Sequence, residues 1–254
     1  ASSVFAVVTA ADFPDLSADD YMGERVIARS RVTYEGQAVA AVAASSAHEA
    51  EEALHLIDVE YEVLPAVLDV REAMAEDAPI ILDELRTETG GVLGDTPTNI
   101  AKHFIYEEGD VDGGFAADHL VVEHSYSTAM VHQGYIEPQN ALAHWNHDGQ
   151  LVVESSSQGH FGIRDDLVKV LRHPESKIRV IPAEIGGGFG GKTTVYLEPL
   201  AAILSRKAGR PVKMTMNRTE VLIGTGPAPG AHMTARIGVT ESGEITAAKL
   251  DLAF

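Results

Sequence analysis

The chain has 254 residues, 45% hydrophobic and 22% charged, a composition that excludes disorder, collagen and a long coiled coil and leaves one large domain or two smaller ones. Its net charge of −19 comes from 19 basic and 38 acidic residues, so most of the surface repels nucleic acid and anionic lipid, which are gripped through Lys and Arg. No apolar run reaches the roughly 18 residues of a membrane span, and residues 1–10 lack the basic start of a secretion signal. The absence of cysteine excludes disulfides, thiolate zinc and an iron–sulfur cluster held by this chain and suits a reducing, cytoplasmic setting.

In chain order, residues 4–8 and 38–43 read as strands, the second apolar enough to be buried on both faces. Ser46-Ala47-His48-Glu49 has the spacing of a capping box, in which a hydroxyl and a carboxylate satisfy orphan helix amides. A helix is expected from there to about Ile57, with Ala50, Ala53, Leu54 and Ile57 on one face. A strand over 59–63, closed by Pro65, completes an α/β unit assigned to residues 1–75. Residues 76–100 carry Pro79, Gly90, Gly91, Gly94 and Pro97 among acidic residues with no period, the pattern of a connecting segment. The second domain, 101–254, opens with strands at 101–107 and 120–129 around a short helix at 112–117; the 120–129 strand is mixed on both faces, so its core side stays open.

Residues 141–145 and 151–154 form a hairpin about Asn146-His147-Asp148-Gly149, because Asp-Gly tolerates the positive φ of a tight turn. A helix over 158–171, with Phe161, Leu167, Val168 and Leu171 as its buried face, ends at His173-Pro174, and a strand follows at 177–181. A helix from about Thr194 to Lys207, stopped by Gly209, precedes strands at 212–216, 231–239 and 245–254. The last strand pattern is cut by the end of the sequence, and Ala1 sits inside a strand-forming segment, so both domains are expected to be incomplete. The fold class is α+β.

The densest signal is Gly186-Gly187-Gly188-Phe189-Gly190-Gly191-Lys192-Thr193. Formally this satisfies the phosphate-binding pattern G-x-x-x-x-G-K-[ST] between a strand and a helix: amides converge on an anion, Lys192 reaches phosphate and Thr193 holds magnesium. Against a P-loop nucleotide-binding domain, few residues follow the loop, Asp251 is a weak stand-in for the second acidic motif, and the glycines are denser than a P-loop needs. A structural turn without ligand is the plainer alternative, but five glycines in six residues forfeit conformational entropy with no return. Lys192 also reads as a solvated charge. His144 and His147 have a spacing that invites a metal, yet on a hairpin they are better placed as solvent-facing residues.

The run GGGFGGK at 186–192, about thirty residues after Ser156-Ser157-Gln158, resembles the molybdenum hydroxylase family of xanthine dehydrogenase, aldehyde oxidase and carbon monoxide dehydrogenase large subunits. His132-Gln133-Gly134-Tyr135-Ile136-Glu137-Pro138 upstream, and Gly209-Arg210-Pro211-Val212 with Asn217-Arg218-Thr219-Glu220 downstream, are similar to further stretches of that family. Tyr34-Glu35-Gly36-Gln37 and Val59-Glu60-Tyr61-Glu62-Val63-Leu64-Pro65 resemble its hammerhead-type α/β domain.

The resemblance implies a hammerhead-type domain followed by the first part of a mixed molybdopterin-binding domain. It implies a molybdenum-pyranopterin cofactor, often in a cytosine dinucleotide form, with iron–sulfur clusters and FAD on partner domains or subunits. Gln158 then hydrogen-bonds an oxygen ligand of the metal and the backbone at Gly188, Phe189 and Gly190 faces another, while neither Gln158 nor Phe189 ligates the metal directly. Gln158 reads alternatively as a residue capping its own helix, and Phe189 as a core plug whose amide alone works. Glu137 is a candidate at the entrance of the substrate pocket or in an ion pair with a structural arginine. Purine-oxidising members carry an acidic residue directly after GGK; here that place is Thr193, which puts xanthine in doubt and favours an aldehyde or another heterocycle. The family's catalytic glutamate and second glycine-rich stretch lie in regions this chain does not contain, so no catalytic residue is assigned, and the chain alone is expected to be inactive. A non-catalytic scaffold module is the remaining alternative.

Overall fold

The computed structural model describes residues 3–14 and 21–254, so the expectation of a strand-forming segment at Ala1 lies outside the described residues. Up to residue 128 the elements are β1 (Val4–Thr9), α1 (Tyr21–Val26), β2 (Ala40–Ala44), α2 (Ala47–Leu54), α3 (Val70–Ala73), the two-residue strands β3 (Glu88–Thr89), β4 (Val92–Leu93) and β5 (Lys102–His103), α4 (Val111–Ala116) and β6 (Leu120–Thr128). Beyond it come β7 (Asn140–Trp145), β8 (Leu151–Ser155), α5 (His160–Leu171), β9 (Ile178–Pro182), α6 (Glu198–Ala208), β10 (Val212–Thr215), α7 (Arg218–Gly224), β11 (Ala231–Val239) and β12 (Ile245–Ala253). They sort into two compact units that interleave along the chain: Ala1–Tyr61 with His132–Ala228, and Glu62–Val131 with Pro229–Phe254.

The first unit holds the β1–β2 antiparallel pair and a four-stranded sheet in the order β10-β7-β8-β9, antiparallel except for β8 and β9. The β7–β8 turn places Gly149 at φ 82°, as Asp-Gly requires. Helix α6 packs on β7 and β10 and also on β1 and β2, and residues 198–205 are all buried. A helix enclosed on every side must be apolar all round, which Leu200, Ala201, Ala202, Ile203 and Leu204 supply. Pro199 in its first turn and Gly209 at φ 63° past its end are the usual punctuation. Helix α5 covers β9 with Ile163, Leu167, Val170 and Leu171 buried.

The second unit has an antiparallel sheet, β12-β11-β6, and a small sheet, β4-β3-β5. Strand pairing sets Val122 opposite Ile237 and Ile237 opposite Ala248, so alternation collects these apolar side chains on one face. The other face carries Glu123, Ser125 and Arg236; there Ser125 hydrogen-bonds Thr234 at 2.9 Å and the Arg236 guanidinium lies 4.4 Å from the Phe115 ring centre of α4. The face that α4 covers is the Arg236 one, where Gly238 and Ala247 are buried, and all nine β6 residues are exposed, so neither side of β6 itself is core.

Several expected elements differ. Residues 59–63 form no strand: they pair with no strand among the described residues, and Val63 is 92% exposed. The strand over 101–107 shrinks to Lys102–His103, paired in parallel with β3 inside the segment expected to be purely connecting. The capping box at Ser46 is half formed: Ser46 Oγ accepts from the Glu49 amide, while the Glu49 carboxylate accepts from the Ser45 and Ser46 hydroxyls. Helix α5 begins at His160 and leaves Phe161 76% exposed, its buried face running through Ile163 and Val170 instead. Helix α6 begins at Glu198, four residues later than expected, and α1, α3 and α7 were not foreseen. For α7 the signal was present, since Asn217 and Glu220 form a full capping box.

Candidate functional site

Strand β8 ends at Ser155 and delivers Ser156, Ser157 and Gln158 beneath the glycine loop; the three serines are buried and Gln158 is exposed. The Gln158 backbone amide donates to the Lys192 carbonyl at 2.8 Å, adding one rung between strand end and loop. Its side-chain Oε1 accepts from the amides of Gly190 at 2.9 Å and Lys192 at 3.1 Å. Two N–H donors on one atom require that atom to be the oxygen, so Nε2 must face away from the loop. Gln158 therefore does not cap α5, whose N-cap is Gly159 with no side-chain bond.

The loop turns through Gly187 at φ 99°, Phe189 at φ 50° and Gly190 at φ 91°. A left-handed phenylalanine between glycines is strained and throws its ring outward: Phe189 is 75% exposed, not a core plug. Its amide makes no hydrogen bond among the described residues. Gly188 has no room for a side chain, because a Cβ there would lie 2.5 Å from Gln158 Oε1. Thr193 is exposed and its hydroxyl donates to the Gly190 carbonyl at 3.2 Å.

Below the loop, Lys192 is wholly buried, with its side chain 0% exposed, and so is not a solvated charge. Its Nζ donates to Glu137 Oε2 at 2.6 Å and lies 3.5 Å from Ser156 Oγ and 5.0 Å from the Tyr135 ring centre. Glu137 Oε2 also accepts the Gly186 amide at 2.8 Å, and Asn140 reaches Oε1 at 3.4 Å. Burial pushes the Glu137 carboxyl up, but the Lys192 bond, the Gly186 amide, the Lys192 charge and Asn140 together hold it below the ordinary carboxylate value. Further down, Glu198 accepts from Ser155 Oγ at 2.5 Å and the Tyr196 amide at 2.9 Å; burial dominates and raises its carboxyl pKa.

This arrangement is not that of a P-loop. The lysine points into the protein, Thr193 bonds within the loop, and α6 starts five residues beyond Thr193, so its N-terminus does not abut the glycines. Among the described residues no three His, Asp or Glu side chains cluster as metal ligands, and His144 and His147 stay on the hairpin apart from the loop. What the loop presents is a row of fixed N–H donors, Gln158 Nε2 and the Phe189 amide, beside glycines that admit close approach. Ser157 Oγ is buried nearby without a partner. That donor set fits an oxygen-bearing, anionic group. The Glu137–Lys192 pair and Glu198 went unrecognised as a support in the sequence because their partners are tens of residues away.

Comparison with known proteins gives two family matches: the molybdopterin cofactor-binding domain over residues 93–254, and the a/b hammerhead domain of aldehyde oxidase and xanthine dehydrogenase over residues 1–65. The large molybdopterin subunit of nicotinate dehydrogenase from Eubacterium barkeri is 32% identical over 90% of this chain and 51% of its own length. The carbon monoxide dehydrogenase large chain of Afipia carboxidovorans is 33% identical over 96% of this chain and 31% of its own. Among solved structures, reconstituted CO dehydrogenase from Oligotropha carboxidovorans superposes with a TM-score of 0.83 at 31% identity, covering 99% of this chain and 32% of that one. The chain thus spans from about a third to half the length of these relatives.

Proposed function

This chain belongs to the xanthine dehydrogenase and aldehyde oxidase family of molybdenum hydroxylases, and we propose that it forms part of the cofactor pocket of an oxidoreductase that hydroxylates an aldehyde or a heterocycle with oxygen from water. The observation that carries this reading is Gln158, whose Oε1 is fixed by the Gly190 and Lys192 amides so that Nε2 is presented as a donor. When bound, the molybdenum-pyranopterin group supplies the oxygen-transfer and two-electron chemistry. Gln158 Nε2 and the Phe189 amide would hold its oxygen ligands, and donors fixed before the reaction cost no reorganisation during it. Gly188 and Gly190 keep side chains out of the way.

Iron–sulfur clusters and FAD on partner domains or subunits would take up the electrons; this chain has no cysteine to hold a cluster. The assignment keeps residues 1–75 as the hammerhead-type domain, 76–100 as the connection and 101–254 as the first portion of the cofactor domain, with the rest of the molybdenum subunit completing the pocket. A cytoplasmic setting agrees with the cysteine-free composition.

Thr193 shapes the substrate side. Its hydroxyl proton is spent on the Gly190 carbonyl, so it offers a substrate only acceptance, where a carboxyl group could pair with purine nitrogens and carbonyls. Where recognition is built on such a bond, its loss costs on the order of 10⁴ in favourable cases. The complete enzyme, purified with its partners, should contain stoichiometric molybdenum and pterin, place ¹⁸O from labelled water in its product, and oxidise xanthine poorly relative to small aldehydes or other heterocycles. Absence of molybdenum would refute the reading of the loop; efficient xanthine oxidation with Thr193 intact would refute only the reading of Thr193.

A further inference from the structure

The glycine loop begins and ends on the same atom. Gly186, its first residue, donates its amide to Glu137 Oε2, and Lys192, its last, donates Nζ to that same oxygen. The Gly186 carbonyl returns a bond to the Glu137 amide at 3.3 Å, so the entry to the loop is pinned by main chain as well as side chain. The clasp is itself enclosed: Tyr135 is 1% exposed and carries the Lys192 ammonium over its ring, Asn140 spans Glu137 and Ser156, and Gln139 ties the Gly191 carbonyl from below at 3.0 Å. A lysine whose amine is wholly enclosed cannot meet a substrate or phosphate, and a buried ammonium with one carboxylate partner has no reason to sit there except to hold something in place.

We propose that Glu137 and Lys192 are positioning residues that close the 186–192 segment into a ring through Glu137 Oε2, and that this closure fixes the backbone that carries the Phe189 amide. Gln158 grips the exit of the loop through Gly190 and Lys192; the carboxylate grips its entry and joins it to the exit. Neither holds the loop alone, because Gln158 makes no bond to residues 186–188 and Glu137 makes no backbone bond beyond Gly186. The catalytic consequence rests on the proposed cofactor role of the loop, whereas the closure does not.

The experiment is amide hydrogen exchange by mass spectrometry on the full polypeptide, with Lys192→Met, Glu137→Gln and, as control, Lys207→Met, which removes an exposed ion pair to Asp12. Lys192→Met should speed exchange across 186–192 at least tenfold, Glu137→Gln should do so by a smaller factor, and Lys207→Met should change nothing there. If Lys192→Met fails to fold, Glu137→Gln, which preserves shape and removes only the charge, decides the matter. In cofactor-loaded enzyme the clasp variants should lower kcat at least tenfold with KM within a factor of two. Unchanged loop exchange in both variants overturns the closure. Faster exchange with unchanged kcat overturns the positioning role. Faster exchange in a protein that never binds molybdenum leaves the closure standing and refutes the cofactor reading instead.

Discussion

Replacing Gly188 with alanine isolates the contact on which the site depends. The new Cβ would lie 2.5 Å from Gln158 Oε1 and 2.7 Å from Cδ, well inside van der Waals contact, so one of the two must move. The glutamine amide is the mobile end of its side chain and can swing away at little steric cost. In doing so it abandons two N–H donors. Gly190 is exposed and water can replace its bond, but Lys192 is 1% exposed and its amide is left short of an acceptor. A buried donor without a partner costs about 1–3 kcal/mol, which for a chain of this size is a fall in melting temperature of roughly 2–12 °C. Gln158→Ala removes the same two bonds and should cost about as much. The double variant should then cost no more than Gln158→Ala alone, a coupling of about 1–3 kcal/mol between contacting sites. Gly149→Ala serves as the control: its φ of 82° makes it costly through backbone strain alone, with nothing within 4 Å of the new methyl, and it should add independently to Gln158→Ala. Chemical denaturation of the three single and two double variants measures this. Strict additivity of Gly188→Ala and Gln158→Ala would refute the reasoning, because it would mean that the alanine does not act by displacing the glutamine.

Glu198→Gln should change the pH dependence of stability: the folded carboxyl is raised above the ordinary 4.5, so its contribution is full below that pH and is lost as pH rises through the folded value. The variant should therefore gain on the parent in thermal melts as pH rises above 4.5, and parallel curves would count against a neutral Glu198. Mg-ATP should give no saturable binding by calorimetry, and Lys192→Ala should not alter that; micromolar affinity abolished by the substitution would restore the P-loop reading. Asn217→Ala removes the side-chain acceptor at the start of α7 and should cost about 0.5–2 kcal/mol in urea unfolding; a loss below that range would show that Glu220 holds the helix start without it.

Local chemistry made much of the fold legible. The β7–β8 hairpin, α5, α6 and the long β11 and β12 strands follow from period, Asp-Gly and Gly209, all of which act within a few residues of themselves. The misses come where a distant partner decides. Residues 59–63 have strand composition but pair with no strand among the described residues, and Phe161 fits the helical period of α5 but lies off the face that meets β9. Likewise, resemblance located Gln158 and Phe189 at the site, but nothing near residue 158 announces that its Oε1 belongs to amides 32 and 34 residues away.

Lys192 shows why the formal motif misled. The P-loop pattern specifies a lysine after glycines and is silent on which way its amine points; direction is set by whether a carboxylate lies beneath the loop. Glu137 supplies one, from the turn before β7, 55 residues earlier. With it, the lysine's charge is consumed inside the protein and the loop's outward face is left with neutral N–H donors. Without it, the same lysine would turn out toward solvent and offer a cation to a phosphate. One carboxylate thus separates the two chemistries that the same eight residues could serve, and it does so through a contact that no local pattern encodes.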